Sequence, residues 1–404
     1  MGTSSDQTAA HHGFPALDVD PFAPAALADP YALHPALRDA GPVVFLPRYR
    51  VYAMARHAEV SAALADWQRF TSERGVGLSD FAKEEPWRPK SLLLETDPPL
   101  HDRTRALANR IVTLASLRSL RDAWRAEAEV MVDRLVAQGT FDAITQLAEV
   151  FPQRVFADAI GLRPDGREQL VPYATANFNA FGPRNEIFAS TEPQRLAAAP
   201  WIEESCTRPF IRPDGWGAGF FAAATGGECS EQEAARLTRS LITAGFDTTI
   251  NALGNMLDAL VDEPEVWAAV RARPALAKRA FEEALRLRSP VQTFFRTTTQ
   301  EVRVADHAIP AGAKVLLFLG AANRDPRRWT DPDRFDLMRN TSGHVAFGFG
   351  VHQCLGQMVA RREGEVVLAA MAERIVRLAR NGVPVRRPNN TLYALGRLPL
   401  IARS

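Results

Sequence analysis

A chain of 404 residues, 46% of them hydrophobic, can enclose a core large enough to surround an internal group. Lysine plus arginine number 48 against 47 for aspartate plus glutamate, a net +1 with no long block of either sign, which argues against a nucleic acid or other polyanion as partner. Three cysteines, Cys206, Cys229 and Cys354, are too few and too scattered for a disulfide framework or a zinc ribbon, and a reducing cytoplasm suits them.

Along the chain, the stretch from Met1 to Asp20 is polar and acidic, with no apolar run of signal-peptide or anchor length. A flexible arm is expected over residues 1–17, ahead of one domain over 18–404, with Pro-rich chain wrapped on the surface as far as Pro35. Residues 43–46 and 51–53, around Pro47-Arg48-Tyr49, read as a β-hairpin. Residues 87–99 have no period and close on Asp97-Pro98-Pro99, a long loop of the kind that carries function. Apolar residues return every three or four positions over 117–135, 231–260, 275–287 and 355–378, which predicts helices. Residues 302–304 and 314–319 predict a second strand pair. The most apolar late stretch, 315–322, is far too short to span a membrane. With no internal repeat and no interdomain linker, the fold class is mainly α with a minor β component, in one domain.

The most informative stretch is Phe347-Gly348-Phe349-Gly350-Val351-His352-Gln353-Cys354-Leu355-Gly356. Two glycines ahead of a cysteine allow a tight turn whose amide N–H groups point at the sulfur and stabilise a thiolate. A free buried cysteine in a Gly-rich turn is the plain alternative. The stretch resembles the haem-binding signature of the cytochrome P450 family at every fixed position. That resemblance implies a single large haem-enclosing domain of the P450 fold, haem b (iron protoporphyrin IX) as cofactor, and Cys354 as the metal ligand, whose thiolate favours O–O cleavage.

Three further pieces are similar to the family in order and position. Glu283-Ala284-Leu285-Arg286 looks like its ExxR helix, tied to a later arginine that is either Arg334 or Arg339. Residues 244–249, Ala-Gly-Phe-Asp-Thr-Thr, look like its oxygen-activating segment, with Gly245 letting the helix open and Asp247 and Thr248 delivering protons. His101, Arg105, Arg296 and His352 are implied to hold the haem propionates, which must be paired when buried. Taken singly, each of these is an ordinary helix pair, a buried helix or a surface charge. The activity implied is that of a bacterial monooxygenase using O2. Because the chain has no flavin or iron–sulfur motif, its electrons are expected from a separate [2Fe-2S]-type ferredoxin and a ferredoxin reductase. Arg105, Arg327, Arg328, Arg361 and Arg362 are either a basic docking surface for that partner or ordinary solvated residues. A peroxide-driven haem-thiolate enzyme is the other possibility, and the Asp247-Thr248 pair argues against it.

Within the family, the chain is similar to bacterial enzymes that oxidise para-substituted benzoic acids. The likeness rests on residues 79–89, Phe178-Asn179-Ala180-Phe181-Gly182-Pro183, Arg239-Ser240 and 289–299; Lys90, at the mouth of the implied pocket, and 205–216 are less typical. It implies that Arg88, Ser91, Arg239 and Ser240 surround a substrate carboxylate, while Leu94, Phe178, Phe181, Ala244, Val291 and Phe294 wall an aromatic ring. Independently, Ser240, Ala244 and Thr248 recur every four residues on one helix face, with Ser240 about 12 Å from Thr248 at 1.5 Å per residue. Close helix packing is the other reading of such a stripe, and core packing the other reading of the two phenylalanines. The expected reaction is O-demethylation of 4-methoxybenzoate to 4-hydroxybenzoate and formaldehyde. A hydroxylase of a larger hydrophobe such as a terpenoid is the alternative.

Overall fold

The computed structural model describes residues 13–403. Six helices position the site: α1 (Leu100–Ile111), α2 (Leu114–Gln138), α3 (Leu170–Asn179), α4 (Glu231–Leu260), α5 (Ala277–Leu287) and α6 (Gln357–Arg374). The longest, α4, begins where Ser230 and Glu233 cap each other reciprocally, with Glu231 and Glu233 in the positive first turn. From Phe246 to Leu260 nearly every side chain is buried, so this helix runs through the middle of the molecule and the others pack round it. A glycine in the centre of such a helix requires a reason. At Gly245 a Cβ would stand 2.1 Å from Cε1 of Phe156, so the ring takes the place of a side chain. We expect Gly245→Ala to cost about 1–3 kcal/mol through overpacking, read as a lower denaturant midpoint with an unchanged slope. Ring packing, rather than local opening of the helix, accounts for this glycine.

The hairpin forms as expected, β1 (Val44–Leu46) against β2 (Val51–Met54). It continues into a five-stranded sheet in the order β1, β2, β5 (Lys314–Phe318), β4 (Thr293–Thr298), β3 (Phe70–Thr71), where only the β2–β5 pairing is parallel. The strand pair expected between 302–304 and 314–319 does not form. Val302–Val304 folds back on His307–Ile309 instead, through a turn with Ala305 at φ 50°, and β5 lies between β2 and β4. The period of 355–378 also covers two elements, since α6 stops at Arg374 and a strand starts at Arg377.

The arm expected over 1–17 falls outside the described residues as far as position 12. Beyond it the chain is docked: Phe14 is 1% exposed against Tyr52 and His307, and Ala16 bridges to Phe45. Among the described residues no helix is long and apolar enough to cross a membrane.

Candidate active site

One cavity of about 1600 Å³, including its opening, lies between α4, β4, the loop 88–94 and the cysteine turn. Sheet and helix periods decide what faces it. On β4, Phe294 and Arg296 share the inner face, while Phe295 points to the opposite side with Phe22. On α4, Ser240, Ala244 and Thr248 line the wall together, as their four-residue spacing predicts. The Thr248 hydroxyl donates to the Ala244 carbonyl at 2.7 Å.

The cysteine turn needs its glycines. Gly348 and Gly350 have φ of 69° and 73°, and a Cβ at Gly350 would stand 2.7 Å from the Leu64 carbonyl oxygen. Cys354 N–H donates to Phe347 O at 2.9 Å, and the sulfur lies on the cavity wall. Burial pushes this thiol up, against the Gly356 amide, the charges of Arg105 and Arg361, and the Gln357 amide, all of which favour a thiolate. Neither Cys206 nor Cys229 lines the cavity.

Behind the turn, Glu283 and Arg286 are fully buried and bonded twice, at 2.8 Å each. Arg339 is the third member, with Nε 3.0 Å from Glu283, whereas Arg334 contributes only its carbonyl. Arg286 also donates to the carbonyls of Asn323 and Pro332, so the pair fixes the chain leading to the cysteine turn.

Several expected site residues lie elsewhere. Asp247 does not line the cavity. It is buried behind α4, where its carboxylate takes Arg387 at 2.6 Å, Thr175 at 2.8 Å and Asn251 at 3.0 Å. Its side chain turns toward Arg387 and Thr175, although Thr248 and Thr249 beside it both line the cavity. Phe181 stands behind the wall, with its ring 5.7 Å from Phe178 and 5.9 Å from Phe294, while Phe178 and Phe294 themselves face the cavity. Leu94 and Val291 line it as expected. Lys90 points outward, donating to Glu73 O at 2.9 Å over the Phe81 ring, and does not enter the cavity.

The largest departure concerns Arg88. It reaches the cavity wall, but its guanidinium is paired with Glu95, Nη1–Oε2 at 2.9 Å and Nη2–Oε1 at 3.1 Å, and Glu95 is 0% exposed. The same carboxylate accepts the Ser91 amide at 3.0 Å. Ser91 and Ser240 meet across the cavity end, Oγ to Oγ at 3.2 Å. Arg239 donates to Pro89 O, and Arg236, which the sequence reading missed, to Lys90 O. Three guanidinium groups therefore stand round this loop, with Glu95 the one carboxylate buried among them.

The docking surface expected near the cysteine is largely neutralised. Arg327 pairs with Asp39 and Asp325, Arg361 with Glu282 and Arg362 with Glu365, while Arg328 lies over the Trp329 ring.

The donor set fits a haem. The cavity lining joins the cysteine turn, α4 and β4 to the loop 88–94, so that one space faces both the thiol and the Ser91–Ser240 end. Arg296, Arg105 and His352 line it, and His101 lies just behind, its ring 4.5 Å from that of His352. Arg296 is buried and donates only to the Phe295 carbonyl. Burial pushes its pKa down to about 10 despite the nearby charge of Asp97. His101 Nε2 is buried without a partner. A buried cation bonded to no carboxylate, beside an unused imidazole nitrogen, calls for anions, which the two haem propionates would provide.

Comparison with known proteins agrees. Residues 274–394 match the family described as Cytochrome P450. The chain is 52% identical to "Cytochrome p450 CYP199A2" of Rhodopseudomonas palustris over 96% of its own length and 94% of the relative's. It is 31% identical to "Cytochrome P450 monooxygenase PikC" of Streptomyces venezuelae over 96% and 94%. Among solved structures, cytochrome P450 CYP109Q5 from Chondromyces apiculatus superposes with a TM-score of 0.80 at 32% identity, covering 96% of this chain and 98% of that one. Likeness of this extent, joined to a thiol turn on the wall of the cavity, means that this chain belongs to the cytochrome P450 family of monooxygenases, which bind haem b through a cysteine thiolate and use O2 and redox partners.

Proposed function

We propose that this protein oxidises para-substituted benzoic acids, with O-demethylation of 4-methoxybenzoate as its reaction. The observation that carries this reading is the end of the cavity about two helical turns along α4 from Thr248, where the Ser91–Ser240 hydroxyl pair lies within a group of three arginines. Hydroxyl donors in a field of excess positive charge suit a carboxylate. Phe178, Phe294, Val291 and Leu94 are the apolar wall a flat ring would meet.

In this reading Cys354 is the iron ligand, and Arg105, Arg296, His101 and His352 hold the haem carboxylates. When bound, the haem supplies the chemistry that inserts one oxygen atom of O2 into a substrate C–H bond. The two serines orient the acid, and the phenyl wall directs the para substituent toward the cysteine side, so proximity sets regioselectivity. Insertion at a methoxy carbon gives a hemiacetal that collapses to formaldehyde and 4-hydroxybenzoate. Thr248 is the hydroxyl on the distal wall that holds and passes protons at Oγ1, whereas Asp247 takes part only when its pair with Arg387 opens. Electrons come from a [2Fe-2S]-type ferredoxin and its reductase. With most arginines near the cysteine already paired, that partner meets a surface of low net charge.

Titration with a panel of para-substituted benzoates, following the haem spin state and then the products, tests the substrate class. Spin-state shifts and formaldehyde release with 4-methoxybenzoate are expected; no shift with any benzoate would remove the proposal. For the proton role, Thr248→Ala is expected to bind substrate as before while product per NADH falls several-fold and hydrogen peroxide rises. Unchanged coupling would leave Thr248 without that role.

A further inference from the structure

Asp97 closes the 87–99 loop as the first residue of an Asp-Pro-Pro turn, and the sequence assigns it no role of its own. In the structure two separated segments converge on its carboxylate. From the cysteine turn, His352 places Nε2 2.9 Å from Oδ1. From β3, the Thr71 hydroxyl donates to Oδ2, and the Ser72 amide lies 3.4 Å from Oδ1. The backbone of Asp97 itself starts α1, its carbonyl accepting His101 N–H at 3.1 Å.

The hydrogen bonds from His352 and Thr71 hold Asp97 below the usual carboxylate range although burial opposes this, so Asp97 accepts and His352 Nε2–H donates. The second nitrogen of His352, Nδ1, stands 3.2 Å from the Leu93 carbonyl. With a contact at each nitrogen the imidazole can neither flip nor swing. Its ring in turn meets that of His101 edge-on, centroids 4.5 Å apart, and His101 Nε2 is the buried nitrogen left without a partner.

We propose that Asp97 is a positioning residue of the cofactor site: it locks the His352 ring, and through that ring's edge holds the His101 ring so that the unpartnered His101 Nε2 is presented to a haem carboxylate. A third carboxylate beside two others would ordinarily repel them. Here both its oxygens are engaged by donors, and Arg296 lies close enough to interact with its charge. The arrangement follows the general pattern in which the partner behind a ligand-holding histidine fixes its tautomer and orientation.

The test reads haem retention rather than turnover, as the rate of haem transfer from the holoenzyme to excess apomyoglobin. Asp97→Ala is expected to speed haem loss about tenfold or more, the loss of a hydrogen bond to a charged group. Asp97→Asn, which keeps an acceptor for His352, is expected to stay within about threefold of the unmodified rate. In a His352→Leu background, Asp97→Ala is expected to add less than about twofold, because its partner is already gone. Haem loss from Asp97→Ala at the unmodified rate would overturn the proposal, as would effects of Asp97→Ala and His352→Leu that simply multiply. Should Asp97→Ala fail to fold by circular dichroism, the same cycle is read with Asp97→Ser, which also removes the carboxylate that accepts from His352, and is judged by the same non-additivity.

Discussion

Cys354→Ser is expected to abolish both the red-shifted Soret band of the ferrous carbon monoxide complex and all monooxygenase activity, while the polypeptide still folds. The band depends on a thiolate at the iron, and no other sulfur can reach it. Cys206 is buried away from the cavity with its thiol pushed up to about 12, and Cys229 packs against the Phe220 carbonyl. A serine hydroxyl is too weak an acid to replace the thiolate, even with the Gly356 and Gln357 amides and Arg105 and Arg361 around it. Nothing in the turn itself needs the sulfur. The Cys354 amide bonds to Phe347 O, and Gly348 and Gly350 supply the positive φ angles. Loss of the band should therefore come with a nearly unchanged far-ultraviolet dichroism spectrum. A variant that keeps the thiolate-type band would assign the ligand to another residue.

What could be read from the sequence divides along physical lines. Local signals were decisive where the structure is local. The helix over 231–260 starts at its capping box, the hairpin is set by its turn, and the cysteine turn by glycines at positive φ, a backbone that L side chains rarely adopt. The four-residue stripe of Ser240, Ala244 and Thr248 faces the cavity because helix geometry alone puts it on one side. Partner choice over long distances was not legible. Val302–Val304 pairs with the nearest available strand rather than with 314–319, and only the folded chain chooses Arg339 over Arg334 as the partner of Glu283. The Glu95 counter-ion of Arg88 sits seven residues away in a loop without period, so no sequence rule points to it. Asp247 belongs with these: adjacent positions such as Thr248 and Thr249 both line the cavity, so the helix step left its direction open, and its pairing with Arg387 and Thr175 is again a long-range choice.

The Glu95 pairing changes what the cavity end does to an acid, and it sharpens the second expected result: the methyl ester of 4-methoxybenzoate binds tens to thousands of times more weakly than the acid. The ring and the methoxy group are the same in both molecules, so the ratio isolates the carboxylate. On the proposed reading, that carboxylate exchanges water for the Ser91 and Ser240 hydroxyls, within a field set by Arg88, Arg236 and Arg239 against Glu95. Losing one side of such a desolvated charged contact costs about 2–5 kcal/mol, which is the range given for the ratio. Ser240→Ala is expected to weaken the acid by about 1.5–3 kcal/mol, the range for a hydrogen bond to a charged group, and to leave the ester nearly unchanged. Arg88→Ala acts differently from the removal of a simple clamp. It strands the Glu95 carboxylate, buried and without its cation, next to the incoming anion, so the acid suffers from repulsion as well as from a lost attraction. The double variant Arg88→Ala with Glu95→Gln removes that stranded charge and is therefore expected to regain much of the acid affinity lost in Arg88→Ala alone. A guanidinium that grips the substrate directly predicts the opposite, namely no recovery in the double variant. If the unmodified protein binds acid and ester equally, the carboxylate is not recognised at all, and a larger neutral hydrophobe such as a terpenoid becomes the substrate to test.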